Sequence, residues 1–316
     1  MDACVVCLGA CAMDFMFTVP QFPRPDEMVF ATGEPCMRPG GSTANIASGL
    51  ARLGVASRFI GKTGKDANGL ALRKAFEADG VDTAFLIADA NGRTAQTVIA
   101  VNSEGSRIIY SLGGTAILET VGELVPEMLD GASVLYIGEA FAEVARAAMD
   151  VAHKKGATVI FGPGGGVSWM KPEDLNSLMV EADYVFLSRS ELNAASGLDT
   201  HDAAARELLR RGVKNVVATL GESGSACYTG SEESEPVMAG RFDVEAVDTT
   251  GAGDAFASGF ISGLVQGLST AQCLTRGNAC AAMAISVMGA REALPMQEQL
   301  DRFIKARTGG AVESYA

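Results

Sequence analysis

Between residues 133 and 219, short apolar runs recur at 133–137, 157–161, 184–187 and 215–219, with helical patterns between them. Two antiparallel strands can be joined by a tight turn, but parallel strands need a crossover of a dozen or more residues, usually a helix. The alternation therefore predicts a mostly parallel sheet with helices on both faces, a doubly wound α/β architecture. Residues 3–10 read as a buried first strand ending at Gly9. Ala-rich helices are expected over 252–267 and 270–288, and an amphipathic helix over 296–307.

The first third of the chain has a different rhythm. Short alternating strands read at 15–19, 29–36, 94–102 and 106–112, punctuated by Pro20, Pro23, Pro25 and Pro39, with a turn at Asn102–Gly105. They predict a small antiparallel lid set into a larger domain. The 316 residues, 48% of them hydrophobic, can build one sizeable core. The expected organisation is one domain over 1–308, with a lid formed by about 15–39 and 94–112, and a flexible tail at 309–316. A net charge of −13 argues against nucleic acid, whose phosphates need clustered Lys and Arg. No run reaches the length of a membrane span, and the N-terminus lacks the basic stretch and cleavage site of a signal peptide. A cytoplasmic enzyme with reduced thiols is expected for the seven cysteines. Cys4-x2-Cys7 is half a zinc pattern without a second pair.

The richest segment chemically is Asp248-Thr-Thr-Gly-Ala-Gly-Asp-Ala-Phe-Ala-Ser-Gly-Phe260. Gly251 and Gly253 bracket Ala252 just where a helix begins, and a helix start offers unpaired N–H groups to an anion. Asp254 within that site would repel a resting phosphate. It makes sense if the anion is in transit and Asp254 takes a proton from an attacking hydroxyl. The plainer alternative makes Asp254 a helix-capping acid on a glycine turn.

A second glycine pair, Gly40-Gly41, opens a helix through Ser42-Thr-Ala-Asn45, with Ile46, Leu50 and Leu53 on one face and Gly54 at its end. Asn45 in the first turns can donate and accept, which suits hydroxyl recognition. An ordinary Ser- or Thr-capped junction is the alternative. Asp14 is expected in a loop after the first strand, at the strand end where open α/β sheets bind ligands. There it could accept from two sugar hydroxyls, or merely cap a turn.

Taken together, the 40–54 and 248–260 segments resemble the two hallmark segments of the PfkB (ribokinase-like) carbohydrate kinases, in the right order and separation. The resemblance runs from about residue 4 to about residue 305. It implies a ribokinase-like doubly wound sheet with a small β-sheet lid, and an ATP-dependent kinase acting on a primary hydroxyl. It implies Asp254 as general base, with Gly251, Ala252 and Gly253 as anion hole. Asp14, Gly40, Gly41, Ser42 and Asn45 would contact the substrate, joined by Glu139 after the 133–137 strand. Thr219-Leu-Gly221-Glu-Ser-Gly224 would line the nucleotide phosphates and Asn278 would meet the adenine. Glu191 would serve Mg²⁺ through water, and Asp248 and Thr250 a monovalent cation such as K⁺. A homodimer through the lid is also expected.

The chain departs from the family pattern at several places. Ser188 stands where Asn commonly precedes Glu191, Ser42 where ribokinases carry Lys, Ala293 where Ser is frequent, and Gly162-Pro-Gly-Gly-Gly166 where an Asp-Pro pair is frequent. Phe15 and Phe17 beside Asp14 suggest a base-stacking surface, so a nucleoside kinase of the same family is the alternative function. A non-catalytic sugar- or nucleotide-binding regulator is a third reading. No G-x-G-x-x-G opens a helix with an acid about 20 residues on, so a dinucleotide fold is not supported.

Overall fold

The computed structural model describes residues 3–287, 289, 291 and 293–308. The tail expected at 309–316 and the last residue of the helix expected over 270–288 lie outside these.

Among the described residues, thirteen strands form two sheets. In chain order they are β1 (Cys4–Leu8), β2 (Ala12–Thr18), β3 (Thr32–Gly40), β4 (Ala56–Gly64), β5 (Leu86–Asp89), β6 (Gln96–Val101), β7 (Arg107–Ser111), β8 (Ala132–Ile137), β9 (Thr158–Phe161), β10 (Tyr184–Ser188), β11 (Asn215–Thr219), β12 (Ser225–Thr229) and β13 (Val237–Ala239). Nine of them make the large sheet, in the order β13-β12-β11-β10-β9-β8-β1-β4-β5. Its pairs are parallel from β5 to β11, and β12 and β13 are antiparallel additions at one edge. The expected strands at 133–137, 157–161, 184–187 and 215–219 are β8 to β11 to within a residue. The run 56–64 shows no clean apolar pattern because β4 carries Ser57, Lys62 and Thr63 in buried positions. Glu119 and Glu123 neutralise the Lys62 ammonium, at 3.1 and 2.7 Å.

Apolar side chains on both faces of this sheet build two core layers. Val6, Leu8, Leu135 and Val159 pack on one side, and Val5, Cys7, Val134 and Ile160 on the other. Helices α1 (Ser42–Arg52), α2 (Ala67–Asp79), α3 (Ala142–Lys154), α4 (Gly166–Trp169), α5 (Pro172–Glu181), α6 (Arg189–Ser196), α7 (His201–Arg210), α8 (Ala252–Val265), α9 (Thr270–Ile285) and α10 (Gln297–Thr308) complete the large unit. Helices α1 and α8 lie side by side so closely that a Cβ on Gly49 would fall 2.3 Å from Ser258 Oγ.

The small sheet has the order β3-β2-β6-β7 and is built from two separate excursions of the chain. It is mixed, because β2 and β6 run parallel. β2 starts earlier and β3 ends later than the sequence pattern suggests, while β6 and β7 are slightly shorter, and one consequence is a correction. Asp14 lies inside β2, paired in register with Arg38 and Thr97, and not in a loop beyond β1. Successive strand residues face opposite sides. Met37, Phe15, Val98 and Tyr110 therefore form a row on the face away from Asp14, where Phe15, Met37 and Tyr110 are exposed. Phe17 packs beside Phe15, with ring centroids 6.0 Å apart. Neither ring lies on the Asp14 side of its own sheet, which removes the base-stacking argument.

Candidate active site

Helix α8 begins at Gly251, whose φ of 77° is a left-handed conformation that glycine takes without strain. Asp254 follows in the first turn, but it does not cap the helix. Its Oδ1 accepts from Ser42 Oγ at 2.7 Å and its Oδ2 from Asn45 Nδ2 at 2.8 Å. Both partners come from the first turn of α1, more than 200 residues away in sequence. Helix α1 starts at Gly41, with φ 97°, because a Cβ there would lie 2.7 Å from the Ala10 carbonyl oxygen. The two glycine turns thus bring two helix starts together, one carrying the carboxylate and the other its hydrogen-bond donors. Burial pushes the Asp254 carboxyl above the usual aspartate range, and the bonds from Asn45 and Ser42 oppose that rise.

Behind Asn45 is a residue that no sequence motif selects. Arg291 is 5% exposed and donates Nε–H to Asn45 Oδ1 at 2.8 Å. Its guanidinium also lies 5.0 Å from the centre of the Phe76 ring. Because Arg291 takes the carbonyl oxygen of Asn45, the amide nitrogen is left to face Asp254. Nothing local marks Arg291, since its partner is 246 positions upstream.

Asp14 approaches the same place from β2. Thr97 Oγ1 donates to its Oδ1 at 2.6 Å, and its other oxygen would lie 1.9 Å from a Cβ on Gly40. Gly40 is therefore needed as glycine for the carboxylate to sit there. Burial raises the Asp14 carboxyl, offset by the Thr97 bond. Glu139 follows β8 and accepts from Thr43 Oγ1 at 3.3 Å. Burial, together with the nearby Asp254 and Glu191 charges, pushes it up to about 7.

Ser42 and Asp254 border a cleft of about 150 Å³, lined also by Tyr136, Gly164, Ser188 and Glu191 among others. Ser188 and Glu191 form a capping box at the start of α6. Ser188 N donates to Glu191 Oε2 at 2.7 Å, and Ser188 Oγ accepts from Glu191 N. Ser in place of Asn thus keeps a local structural role, because a hydroxyl caps a helix as an amide does.

A larger cavity of about 400 Å³ adjoins the cleft and shares Thr219, Gly253 and Phe256 with it. Its walls include Gly221, Gly224, Ala252 and Asn278, with Phe242, Ala281 and Ile285. A Cβ on Gly224 would lie 2.1 Å from the Ala239 carbonyl oxygen, and φ there is +81°. The Asn278 amide nitrogen is already engaged with the carbonyls of Ala239 and Gly240, at 3.0 and 2.9 Å. Asn278 therefore holds the cavity wall through its donors and has its side-chain oxygen left for other contacts.

Asp248 sits under the α8 start. Its carboxylate accepts from Thr250 N at 2.9 Å and from Gly289 N at 3.0 Å. Burial works against ionisation there, but these bonds and the Thr250 side chain hold it below the usual range. Arg107 reaches from β7 and donates to Thr250 Oγ1 at 2.9 Å, which puts a guanidinium from the small sheet beside the helix start. Sequence position alone gives no hint of that contact.

Two adjoining cavities that share one helix start, with a half-buried carboxylate on the smaller side, define a group-transfer enzyme on a doubly wound α/β sheet. The pfkB family carbohydrate kinase model matches residues 2–297, and the chain belongs to this family. It is thus a phosphotransferase with an alcohol acceptor. Fructokinase-1 of Oryza sativa subsp. japonica is 30% identical over 323 residues, covering 96% of this chain and 98% of the relative. The 5-dehydro-2-deoxygluconokinase of Clostridium beijerinckii is 32% identical over 285 residues, covering 84% of each. Among solved structures, Arabidopsis thaliana ribokinase complexed with ribose and ATP superposes with a TM-score of 0.84 at 25% identity, over 96% of this chain and 99% of that one. No helix among the described residues is long and apolar enough to cross a membrane.

Proposed function

We propose that this kinase transfers the γ-phosphoryl group of ATP to a primary hydroxyl of a sugar or sugar-like acceptor, with Asp254 as general base. The observation that carries this reading is the convergence of Ser42 and Asn45 on Asp254 at the start of α8. A carboxylate held by two side-chain donors makes no claim on the N–H groups of the α8 start, so it can accept a proton while N–H groups there receive an anion. The acceptor lies between Asp14 and Asp254, in contact with Gly40, Gly41, Ser42, Asn45 and Glu139. The acceptor hydroxyl loses its proton to Asp254 as its oxygen bonds to the γ-phosphorus, and ADP leaves. Gly251, Ala252 and Gly253 face the phosphoryl group in transit. Thr219, Gly221, Gly224 and Asn278 line the nucleotide side.

Among the described residues no three His, Cys, Asp or Glu side chains gather as a metal site. Mg²⁺ needs no such cage, since it keeps several waters and binds through one or two carboxylates plus substrate phosphates. Glu191, on the wall of the cleft, fits that mode through water. When bound, Mg²⁺ supplies charge neutralisation for the phosphate oxygens. Asp248 and Thr250 are proposed as the loop for a monovalent cation, to be tested by comparing rates in potassium and tetramethylammonium salts.

We assign the small sheet as a lid over the acceptor, excluding water from the transfer. Its exposed row of Met37, Phe15, Val98 and Tyr110 supports a homodimer through the lid. A monomer in sedimentation at micromolar concentration would remove that assignment.

The test of function is a phosphorylation screen with ATP over pentoses, hexoses, ketodeoxy acids, sugar phosphates and nucleosides, read by ADP release. A sugar-type acceptor turned over orders of magnitude faster than any nucleoside is expected. Nucleosides as the only efficient acceptors would replace this reading by the nucleoside-kinase alternative. No turnover with any acceptor, together with sugar or nucleotide binding, would leave the regulator.

A further inference from the structure

The wall of the smaller cleft contains a hydroxyl that the reaction as described does not use. Tyr136 lies on β8, is 4% exposed and packs its ring edge-on against Phe186, with centroids 6.5 Å apart. Its hydroxyl reaches past the end of β9, where a Cβ on Gly162 would fall 2.2 Å from it. Tyr136 lines the cleft together with Ser42, Asp254 and Glu191. Among the described residues, no hydrogen bond to this hydroxyl is formed. The phenol spends no hydrogen bond on the protein, and at the cleft wall its O–H is free for a ligand.

The surroundings indicate what the hydroxyl meets. Glu139, Asp254 and Glu191 are the charged neighbours of Tyr136. Burial and these carboxylates hold its proton on well above the usual tyrosine range, so the group is a permanent neutral donor. An oxyanion entering so acidic a cleft needs donors, and the helix start at Gly253 is one source. We propose that the Tyr136 hydroxyl is a second: it donates a hydrogen bond to an oxygen of the phosphate–metal group that occupies the cleft between Asp254 and Glu191. The inference rests on the kinase reading above. The phenol keeps its proton and takes no part in bond making. The accepting oxygen belongs either to the γ-phosphoryl group or to the β-phosphoryl group, and the two sources are separable.

The experiment is calorimetric titration of wild type and Tyr136→Phe with a non-hydrolysable ATP analogue and with ADP, each with and without Mg²⁺. Thermal unfolding of the free proteins is measured alongside. The variant should keep a Tm close to wild type, because it removes no hydrogen bond within the protein. Loss of a hydrogen bond to a charged oxygen should weaken binding by about tenfold or more. A loss confined to the ATP analogue identifies a γ-phosphoryl oxygen. A loss for both nucleotides identifies a β-phosphoryl oxygen. Affinities within about twofold of wild type in all four titrations overturn the proposal, and so does a lowered Tm with unchanged affinities. Failure of the underlying reading looks different, since the wild type itself would then bind neither nucleotide. Gly162→Ala, which must displace the phenol, should reproduce the binding defect of Tyr136→Phe.

Discussion

The two cavities that meet at Gly253 recognise their ligands by different means. The larger is walled mostly by glycine backbone and apolar side chains, beside Thr219, Thr249, Glu222 and Arg241, and its Asn278 spends its donors on the wall itself. The smaller is lined by Ser42 and Asp254, and around them side chains are hydrogen-bonded in series: Arg291 to Asn45 to Asp254, Thr97 to Asp14, Thr43 to Glu139. A backbone wall tolerates exchanged side chains and fails when bulk is added. A side-chain network fails when one group is deleted, because its neighbours are left buried without partners.

The comparison breaks first at Asp254. Asp254→Asn keeps the shape of the acceptor side and removes the base, so kcat should fall by about 10²–10⁴ with both affinities nearly unchanged. A near-normal kcat would take Asp254 out of the mechanism. Asp14→Ala comes next. Losing a charged partner to a sugar hydroxyl costs about 1.5–3 kcal/mol, read as a rise of roughly 10- to 10²-fold in acceptor KM, while the KM for ATP stays constant. A defect mainly in ATP affinity would show that the two sides have been assigned the wrong way round.

Gly224→Ala tests the backbone wall by adding bulk. The new Cβ meets the Ala239 carbonyl in a backbone conformation costly for alanine, so ATP KM should rise by about tenfold with acceptor KM unchanged. Arg291→Met leaves the Asn45 amide free to turn. A fall of about tenfold in kcat is expected with ATP KM constant, and Arg291→Lys should restore little, because an ammonium cannot reproduce the planar fork.

The smallest effect concerns pH. Glu139 holds its proton more tightly in the folded chain than in the unfolded one, up to about 7. Between the ordinary glutamate range and about 7 the folded state binds more protons, so this group's contribution to stability falls as pH rises through that window and levels off above it. Glu139→Gln should therefore gain Tm relative to wild type at pH 8 and lose that gain at pH 5. A difference independent of pH would mean that the carboxyl is not strained by burial.

The same contrast explains what could be read from the chain. Strands β8 to β11 are buried on both faces, so their apolar runs stand out. Strand β4 belongs to the same sheet, but a neutralised lysine hides it. The glycine turns at 40–41 and 251–253 are visible because only certain residues fit such backbone. Asp14 was legible as a residue but not as a member of a strand, since its register depends on β6, over 80 residues later. Arg291, Arg107 and Tyr136 acquire meaning only from partners brought close by folding, and no local pattern announces them.

The small sheet leaves the large unit and returns twice: just before Ala12, just after Gly40, just before Gln96 and just after Ser111. If this plate closes as proposed, its four crossings make it swing as one piece, on the microsecond-to-millisecond scale of collective hinge motions. The plate carries Asp14, whereas Asp254 stays on the frame. Under the proposed roles, gripping the acceptor and bringing its hydroxyl up to the base are one stroke of a single shutter, and the shutter sets the tempo at which an acceptor is committed or let go.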